Sequence, residues 1–168
     1  MIKKILLLTL LFAGYATAQN LLPPKVKEVY LMNFTKDTLC VVRNFKVYKD
    51  PKWVAKVELK NGKSIFFSSP KSMFEFYHRP GKWFDIGVKS EKDFKNIIVT
   101  DYLTMEPINA RDAYYIYGSR ATSPAGDDLV AIGDKQAAKD FSKKYSGKRI
   151  FKFLEVKDAL IRLINGRI

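Results

Sequence analysis

The stretch SIFFSSPKSMFEF, residues 64–76, joins a short apolar strand to an amphipathic helix and decides the fold of this 168-residue chain. Ser69 followed by Pro70 is typical of a helix start, because a serine side chain accepts an orphan backbone N–H group and proline presets the first helical φ. The Asn61-Gly62 pair just before the stretch is a strong hairpin signal. It predicts that a strand over residues 53–59 pairs with residues 64–67.

The same order of signals returns 65 residues later, in the stretch LVAIGDKQAAKDF, residues 129–141. In each half a helix follows, whose apolar positions have the 3.6-residue period. A further strand comes after each helix, over residues 96–99 in the first half and 150–154 in the second. Four pairs align on this shift: Phe67 with Ile132, Ser69 with Asp134, Met73 with Ala138, and Phe76 with Phe141. The sequence therefore predicts an α+β fold of two ββαβ units packed together. We expect them over about residues 50–101 and 108–155, with a C-terminal helix over 156–165.

The first eighteen residues have the pattern of a secretory signal peptide. Lys3 and Lys4 form a positive start, residues 5–13 are an apolar run, and Ala16-Thr17-Ala18 supplies the small residues that signal peptidase reads. The apolar run is shorter than the roughly 20 residues that span a bilayer. We expect cleavage after Ala18, an N-terminal linker over residues 19–39, and a soluble periplasmic or secreted product.

Composition limits the class of protein. Hydrophobic residues make up 47% of the chain and aromatic residues 14%, which is enough for a packed core and argues against disorder. The net charge of +13 favours acidic partners, either an acidic protein or an anionic membrane surface. A solvated lysine coat that only aids solubility is the alternative. For an exported protein we expect no nucleic-acid partner.

No arrangement of residues predicts an enzyme. The one histidine, His78, lies near the predicted end of the first helix, where a histidine interacts favourably with the helix dipole. The chain has no G-x-S-x-G elbow and no phosphate-binding glycine loop. The pair Asp127-Asp128 is more simply explained as part of a turn.

Soft donors for a metal are few. Cys40 is the only cysteine, so it cannot form an intramolecular disulfide, and it is a buried small hydrophobe, a metal ligand or an intermolecular pairing site. Copper(I) prefers thiolate, thioether and imidazole, which here means Cys40 with Met32, Met105 or His78. Their spacing is not diagnostic of a site.

Three stretches together resemble the NosL family of nitrous-oxide-reductase accessory proteins. They are residues 40–55, which begin CVVRNF, residues 66–74, FFSSPKSMF, and residues 99–126, which run from VTDYLT to SPAG. The similarity extends from about Cys40 to Glu155. The family is also described as two ββαβ units, which agrees with the repeat.

The resemblance implies an exported copper(I) protein whose partners are nitrous oxide reductase or its maturation ABC transporter. The family's metal stretch is typically Cys-x-x-Cys-x-Met, and a later Pro-Met-Gly supplies a thioether. Cys40 keeps the first cysteine, whereas Arg43, Phe45 and Ala125 stand at the other ligand positions. We therefore expect an accessory protein with weak copper(I) binding at Cys40. The alternative is a metal-free module of the same fold that docks an acidic protein or envelope surface through its basic face.

Overall fold

The computed structural model describes residues 28–167 as two antiparallel sheets and three α-helices. The predicted signal sequence, the predicted cleavage after Ala18 and residues 19–27 lie outside the described residues. The elements in chain order are β1 Ala55–Leu59, β2 Ser64–Phe67, α1 Pro70–His78, β3 Phe94–Thr100, β4 Pro107–Asn109, β5 Tyr114–Ser123, β6 Gly126–Ile132, α2 Lys135–Lys144, β7 Arg149–Lys152 and α3 Asp158–Ile164. The first sheet has the strand order β2-β1-β3-β4, and the second has β6-β5-β7.

The predicted helix starts are confirmed in both units. Ser69 precedes α1 and its side chain accepts the N–H of Ser72, while Asp134 precedes α2 and accepts the N–H of Ala137 at 2.7 Å. Each acceptor thus satisfies a backbone donor three residues on, as an N-cap does. The two caps are equivalent in the 65-residue repeat, and the fold of two ββαβ units is confirmed.

The larger of the two clusters of buried side chains is shared by both units. Phe74 of α1 packs edge-on against Tyr115 of β5, with ring centroids 4.9 Å apart, and lies 5.0 Å from Phe153. Asp101, after β3, accepts the N–H of Gly133 at 2.7 Å and so joins the end of the first sheet to the start of α2. Because the largest cluster of buried side chains includes residues of both sheets, the units stabilise one another.

Several predicted boundaries differ from the structure. Trp53 was expected to start a strand, but Pro51–Trp53 is a 3-10 turn, closed by the N–H of Val54, and β1 begins at Ala55. The pair Asp127-Asp128 was expected to be part of a turn, but both residues belong to β6, and only Pro124 and Ala125 separate the paired residues at the ends of β5 and β6. The strand expected over 150–154 ends at Lys152, where a 3-10 turn begins.

Two further differences lie between and after the units. Residues 107–109, where the second unit was expected to begin, form β4 and pair with β3 of the first sheet. The C-terminal helix was expected to start at 156 and begins at Asp158. Of the helices in the part of the chain that is described, none has the length and apolar character needed to cross a bilayer.

Residues 30–34, which we call the strap, cross the outer face of the first sheet. Register pairs place Phe66, Lys56, Ile98 and Asn109 side by side across the strands β2, β1, β3 and β4. Directly opposite residues share a face. The strap contacts three residues of this row. The Asn109 amide donates to the Tyr30 hydroxyl at 3.0 Å, and the Lys56 ammonium donates to the Leu31 carbonyl. The centroid of the Phe34 ring lies 6.4 Å from that of the Phe66 ring. The strap therefore belongs to the folded unit, although sequence analysis placed it in a linker.

Candidate functional site

Cys40 lies in a tight hairpin formed by residues 38–47. Its N–H donates to the Phe45 carbonyl at 2.8 Å, its carbonyl accepts the N–H of Asn44 at 2.8 Å, and Asn44 takes a left-handed conformation with φ 58°. The N–H of Val41 donates to the Phe66 carbonyl at 3.1 Å and attaches the hairpin to the edge strand β2. Asparagine tolerates positive φ better than most residues, which explains its place at this turn.

The Cys40 side chain is almost completely enclosed. The residue is 1% exposed, and its Sγ accepts the N–H of Arg43 at 3.3 Å. Beside it an open groove of 730 Å³ runs along β2, lined among others by Leu39, Ile65 and Phe66. The thiol therefore borders a mostly apolar groove and is contacted by one backbone donor.

Arg43 points away from the groove into a charged cluster on α1. Its Nη2 donates to Glu75 at 3.1 Å and to Asn165 at 2.6 Å, and its Nε lies 3.4 Å from the Ser72 hydroxyl. Glu75 also accepts a hydrogen bond from the Arg167 guanidinium at 2.7 Å, and the Lys82 ammonium lies 3.7 Å from the same carboxylate. Three cations thus surround a single carboxylate, and the cluster is positive.

The Glu75 carboxylate is buried, with a side chain only 6% exposed. Burial by itself raises the pKa of Glu75, but the hydrogen bond from Arg167 and the charges of Arg43, Arg167 and Lys82 together hold the pKa below its ordinary value. Glu75 is therefore ionised near neutral pH and fixes the guanidinium of Arg43. Because Asn165 and Arg167 follow α3, the cluster also fastens the C-terminal segment to α1.

The turn at residues 124–126 approaches the first turn of the same helix. Lys71 donates from Nζ to the Ala125 carbonyl at 2.9 Å and to the Asp127 carbonyl at 2.6 Å, and its backbone N–H donates to Asp128 at 2.8 Å. Burial lowers the pKa of Lys71 and raises the pKa of Asp128. Residues 43 and 125, which are far apart in the sequence, therefore converge on adjacent positions at the start of α1.

The other candidate donors are placed differently. Met32 is half-buried in the strap and packs on the core. Met105 lies in the turn between β3 and β4 with φ 67° and is 46% exposed. His78 lies at the opposite end of α1, with its Nε2 2.9 Å from the Val156 carbonyl, and burial lowers its pKa. Over residues 28–167 the structure places no group of three His, Cys, Asp or Glu side chains where a metal could be held.

Sequence reasoning missed the residues that hold Arg43. Glu75 carried a weak signal, a carboxylate between the inward-facing Met73 and Phe76 of one helix. Asn165 carried none, since it lies 122 residues from Arg43.

Comparison with known proteins decides the family. The sequence model of the NosL family matches residues 31–161, which is most of the chain. The chain belongs to the NosL family. The solved structure of "the copper chaperone NosL from Shewanella denitrificans" matches with a TM-score of 0.66 and 22% identity, over 79% of this chain and 98% of that one. No protein of curated function matches the sequence.

The match to the NosL structure agrees with the α+β architecture that the repeat predicts. At the positions where the sequence resembles the NosL metal stretch, Cys40 is enclosed, Arg43 is ion-paired and Phe45 is 42% exposed. The later thioether position is Ala125, whose carbonyl is bound by Lys71. The donor set that remains around Cys40 therefore fits a soft metal ion with one protein thiolate at most.

Proposed function

We propose that this NosL-family protein is an exported accessory factor in copper-site assembly, with copper(I) as weakly held cargo at Cys40. The observation that carries the proposal is the position of Cys40, in the loop that resembles the family's metal stretch and beside an open groove. The related structure is titled as that of a copper chaperone, which supports cargo of the same kind here. The proposed recipients are nitrous oxide reductase or the ABC transporter of its maturation.

Two features make the proposed site weak. Copper(I) prefers soft donors, and Cys40 is the only thiol of the chain. The neighbouring cluster of Arg43, Lys82 and Arg167 around Glu75 is positive and opposes an approaching cation. A thioether from Met32 or Met105, or the ring of His78, would complete two- or three-fold coordination only after rearrangement, because each is engaged elsewhere or lies on another element.

The second candidate is a metal-free binding module of the same fold. It is favoured by the Arg43–Glu75 ion pair, which occupies the position of the family's second cysteine and is tied to the C-terminal segment through Asn165. In this case the Cys40 hairpin serves to join α1 and the C-terminal segment, and the accessory role depends on docking to a partner alone.

An anaerobic copper(I) competition titration separates the two candidates. We compare wild type with Cys40→Ser and with Arg43→Cys/Phe45→Met, which restores the family pattern. Loss of Arg43 leaves Glu75 bound to Arg167 at 2.7 Å, so the restored variant keeps a paired carboxylate. Arg43→Ser/Phe45→Leu is the matched control, because it removes the same side chains without adding sulfur.

The cargo proposal predicts weak binding by wild type, loss in Cys40→Ser, and a gain of at least tenfold, about 1.4 kcal/mol, in the restored variant alone. Equal copper(I) affinities of wild type and Cys40→Ser would favour the metal-free module. A gain in the Ser/Leu control as large as in the restored variant would show that relief of positive charge, rather than new ligands, improves binding.

A further inference from the structure

One segment of the second unit, from α2 to β7, is dense in basic side chains. Residues 135–152 contain seven basic residues and one acidic residue, and all seven basic side chains are exposed. We call these seven the basic patch: Lys135, Lys139, Lys143, Lys144, Lys148, Arg149 and Lys152. The acidic residue, Asp140, accepts a hydrogen bond from Gln136. In contrast to Arg43, Arg79 and Arg111, no member of the patch has a salt-bridge partner among residues 28–167.

Three lysines of the patch line a groove between α2 and β7. The groove has a volume of 310 Å³, with lysines 135, 139 and 152 at its sides and an apolar floor that includes Tyr114, Ile150 and Phe151. The Lys152 ammonium is 3.4 Å from the centroid of the Tyr114 ring and donates to the Asp112 carbonyl at 3.1 Å. Glu155, also at the groove, accepts the N–H of Lys152 at 2.6 Å. The carboxylate beside the lysines is therefore already bound to the backbone.

The spacing of the lysines matches an extended chain. Lys135, Lys139 and Lys143 recur every four residues on α2, which is about 6 Å along a helix axis. Alternate residues of a strand are about 6.6 Å apart and point to the same side. β7 is an edge strand of its sheet, and such edges accept extended partners.

We propose that this groove docks an extended, acidic segment of a partner protein, with carboxylates at alternating positions facing the α2 lysines. Electrostatic complementarity of this kind raises the association rate of two proteins and fixes the orientation in which they bind. The surface is distinct from the Cys40 groove, since no residue lines both. The proposal goes beyond cargo binding, and its failure would leave the copper proposal standing.

The arrangement of apolar groups favours a protein segment over a membrane. A helix that lies on a bilayer turns its apolar face outward into the lipid. In α2 the apolar residues Ala138 and Phe141 are buried against the sheet, and only the lysine face is presented to solvent. Phe151 of the groove floor is likewise buried.

The test uses two labelled ten-residue peptides of equal composition, in which Glu and Thr alternate or the five Glu residues form a block. Binding to the whole mature protein is measured by fluorescence anisotropy in 150 mM salt. The patch variant is Lys135→Glu/Lys139→Glu/Lys152→Glu. The control is Lys49→Glu/Lys92→Glu/Lys95→Glu, which changes the net charge equally at exposed lysines outside the second unit. Circular dichroism verifies that both variants are folded.

The proposal predicts at least tenfold weaker binding of the alternating peptide by the patch variant and less than a twofold change in the control. It also predicts that wild type binds the alternating peptide at least threefold more tightly than the block peptide. Equal losses in both variants would show attraction by net charge alone and overturn the proposal. So would a preference for the block peptide, the absence of peptide binding, or binding to vesicles of phosphatidylglycerol and phosphatidylcholine without peptide binding.

Discussion

The guanidinium of Arg43 lies 3.1 Å from the carboxylate of Glu75, in the loop whose sequence resembles the NosL metal stretch. The pair joins the hairpin of Cys40 to α1, and Asn165 bridges both partners with bonds of 2.6 and 3.1 Å. An ion pair, an amide and the C-terminal segment thus meet where a soft metal site would need neutral or anionic sulfur. The position has a structural role in this chain.

Replacement of Glu75 by glutamine should destabilise the fold. It leaves Arg43 and Arg167 without their shared carboxylate, and loss of one member of a buried pair is costly. Since the cations are partly exposed, we expect a loss of about 2–3 kcal/mol in the free energy of unfolding, measured with urea. Asp37→Asn is the control, because the Asp37–Lys46 pair is exposed to solvent and should contribute under about 0.5 kcal/mol.

The same variant should change the response to acid. The pKa of Glu75 is lower in the folded protein than its ordinary value of 4.5, so its stabilisation is present above that pH and is lost as pH falls through the folded pKa. Below about pH 4.5, wild type should therefore lose stability more steeply than Glu75→Gln. Parallel curves for the two proteins would contradict the assignment.

The equivalent core positions of the two helices provide a further prediction. Phe76 and Phe141 are 0% and 3% exposed, so each change to alanine should cost about 3–5 kcal/mol. Phe84→Ala removes an aromatic ring that is 85% exposed and should change the unfolding free energy by less than about 0.5 kcal/mol. A loss under about 1 kcal/mol at both helix positions would mean that the repeat does not place them in the core.

The repeat could be predicted because its signals are local. Ser69 and Asp134 reveal helix starts within a few residues, and Phe76 and Phe141 follow from a period. The Arg43 cluster could not be predicted, since its partners come from α1 and from beyond α3, and pairing over such separations leaves no periodic signal. For the candidate site, the resemblance indicated which loop to examine but not that Arg43 would be ion-paired with Glu75.

The enclosure of Cys40 predicts a slow reaction of its thiol. In the folded protein, labelling by a disulfide reagent should be at least about a hundredfold slower than in the unfolded chain, because the reagent must wait for the hairpin to open. Leu39→Cys/Cys40→Ser moves the thiol to an exposed neighbouring position of the same hairpin and should restore fast labelling. Equally slow labelling of both proteins would mean that the groove, rather than burial of Cys40, limits access.

Export remains a prediction from the first eighteen residues. If the chain is cleaved after Ala18, mass spectrometry of the envelope fraction should find a protein that begins at Gln19. Ala16→Leu/Ala18→Leu replaces the small residues that signal peptidase reads and should cause the precursor to accumulate. Recovery of full-length wild-type protein from the membrane would instead indicate that the apolar run is an anchor.

The strap yields the last prediction, and it concerns a segment that sequence analysis placed in a linker. Phe34 covers Phe66, and Ile98 of the same row is buried although it lies outside the two main clusters of core side chains. If the strap seals this face, Phe34→Ala should cost about 1–2 kcal/mol, since the ring is half-buried, and should increase hydrogen exchange of β1 and β2 amides. Val29→Ala, just before the strap and 82% exposed, should alter neither quantity. A loss of stability without faster exchange in β1 and β2 would mean that Phe34 stabilises the protein other than by sealing this face. The absence of any effect of Phe34→Ala would remove the strap from the folded unit.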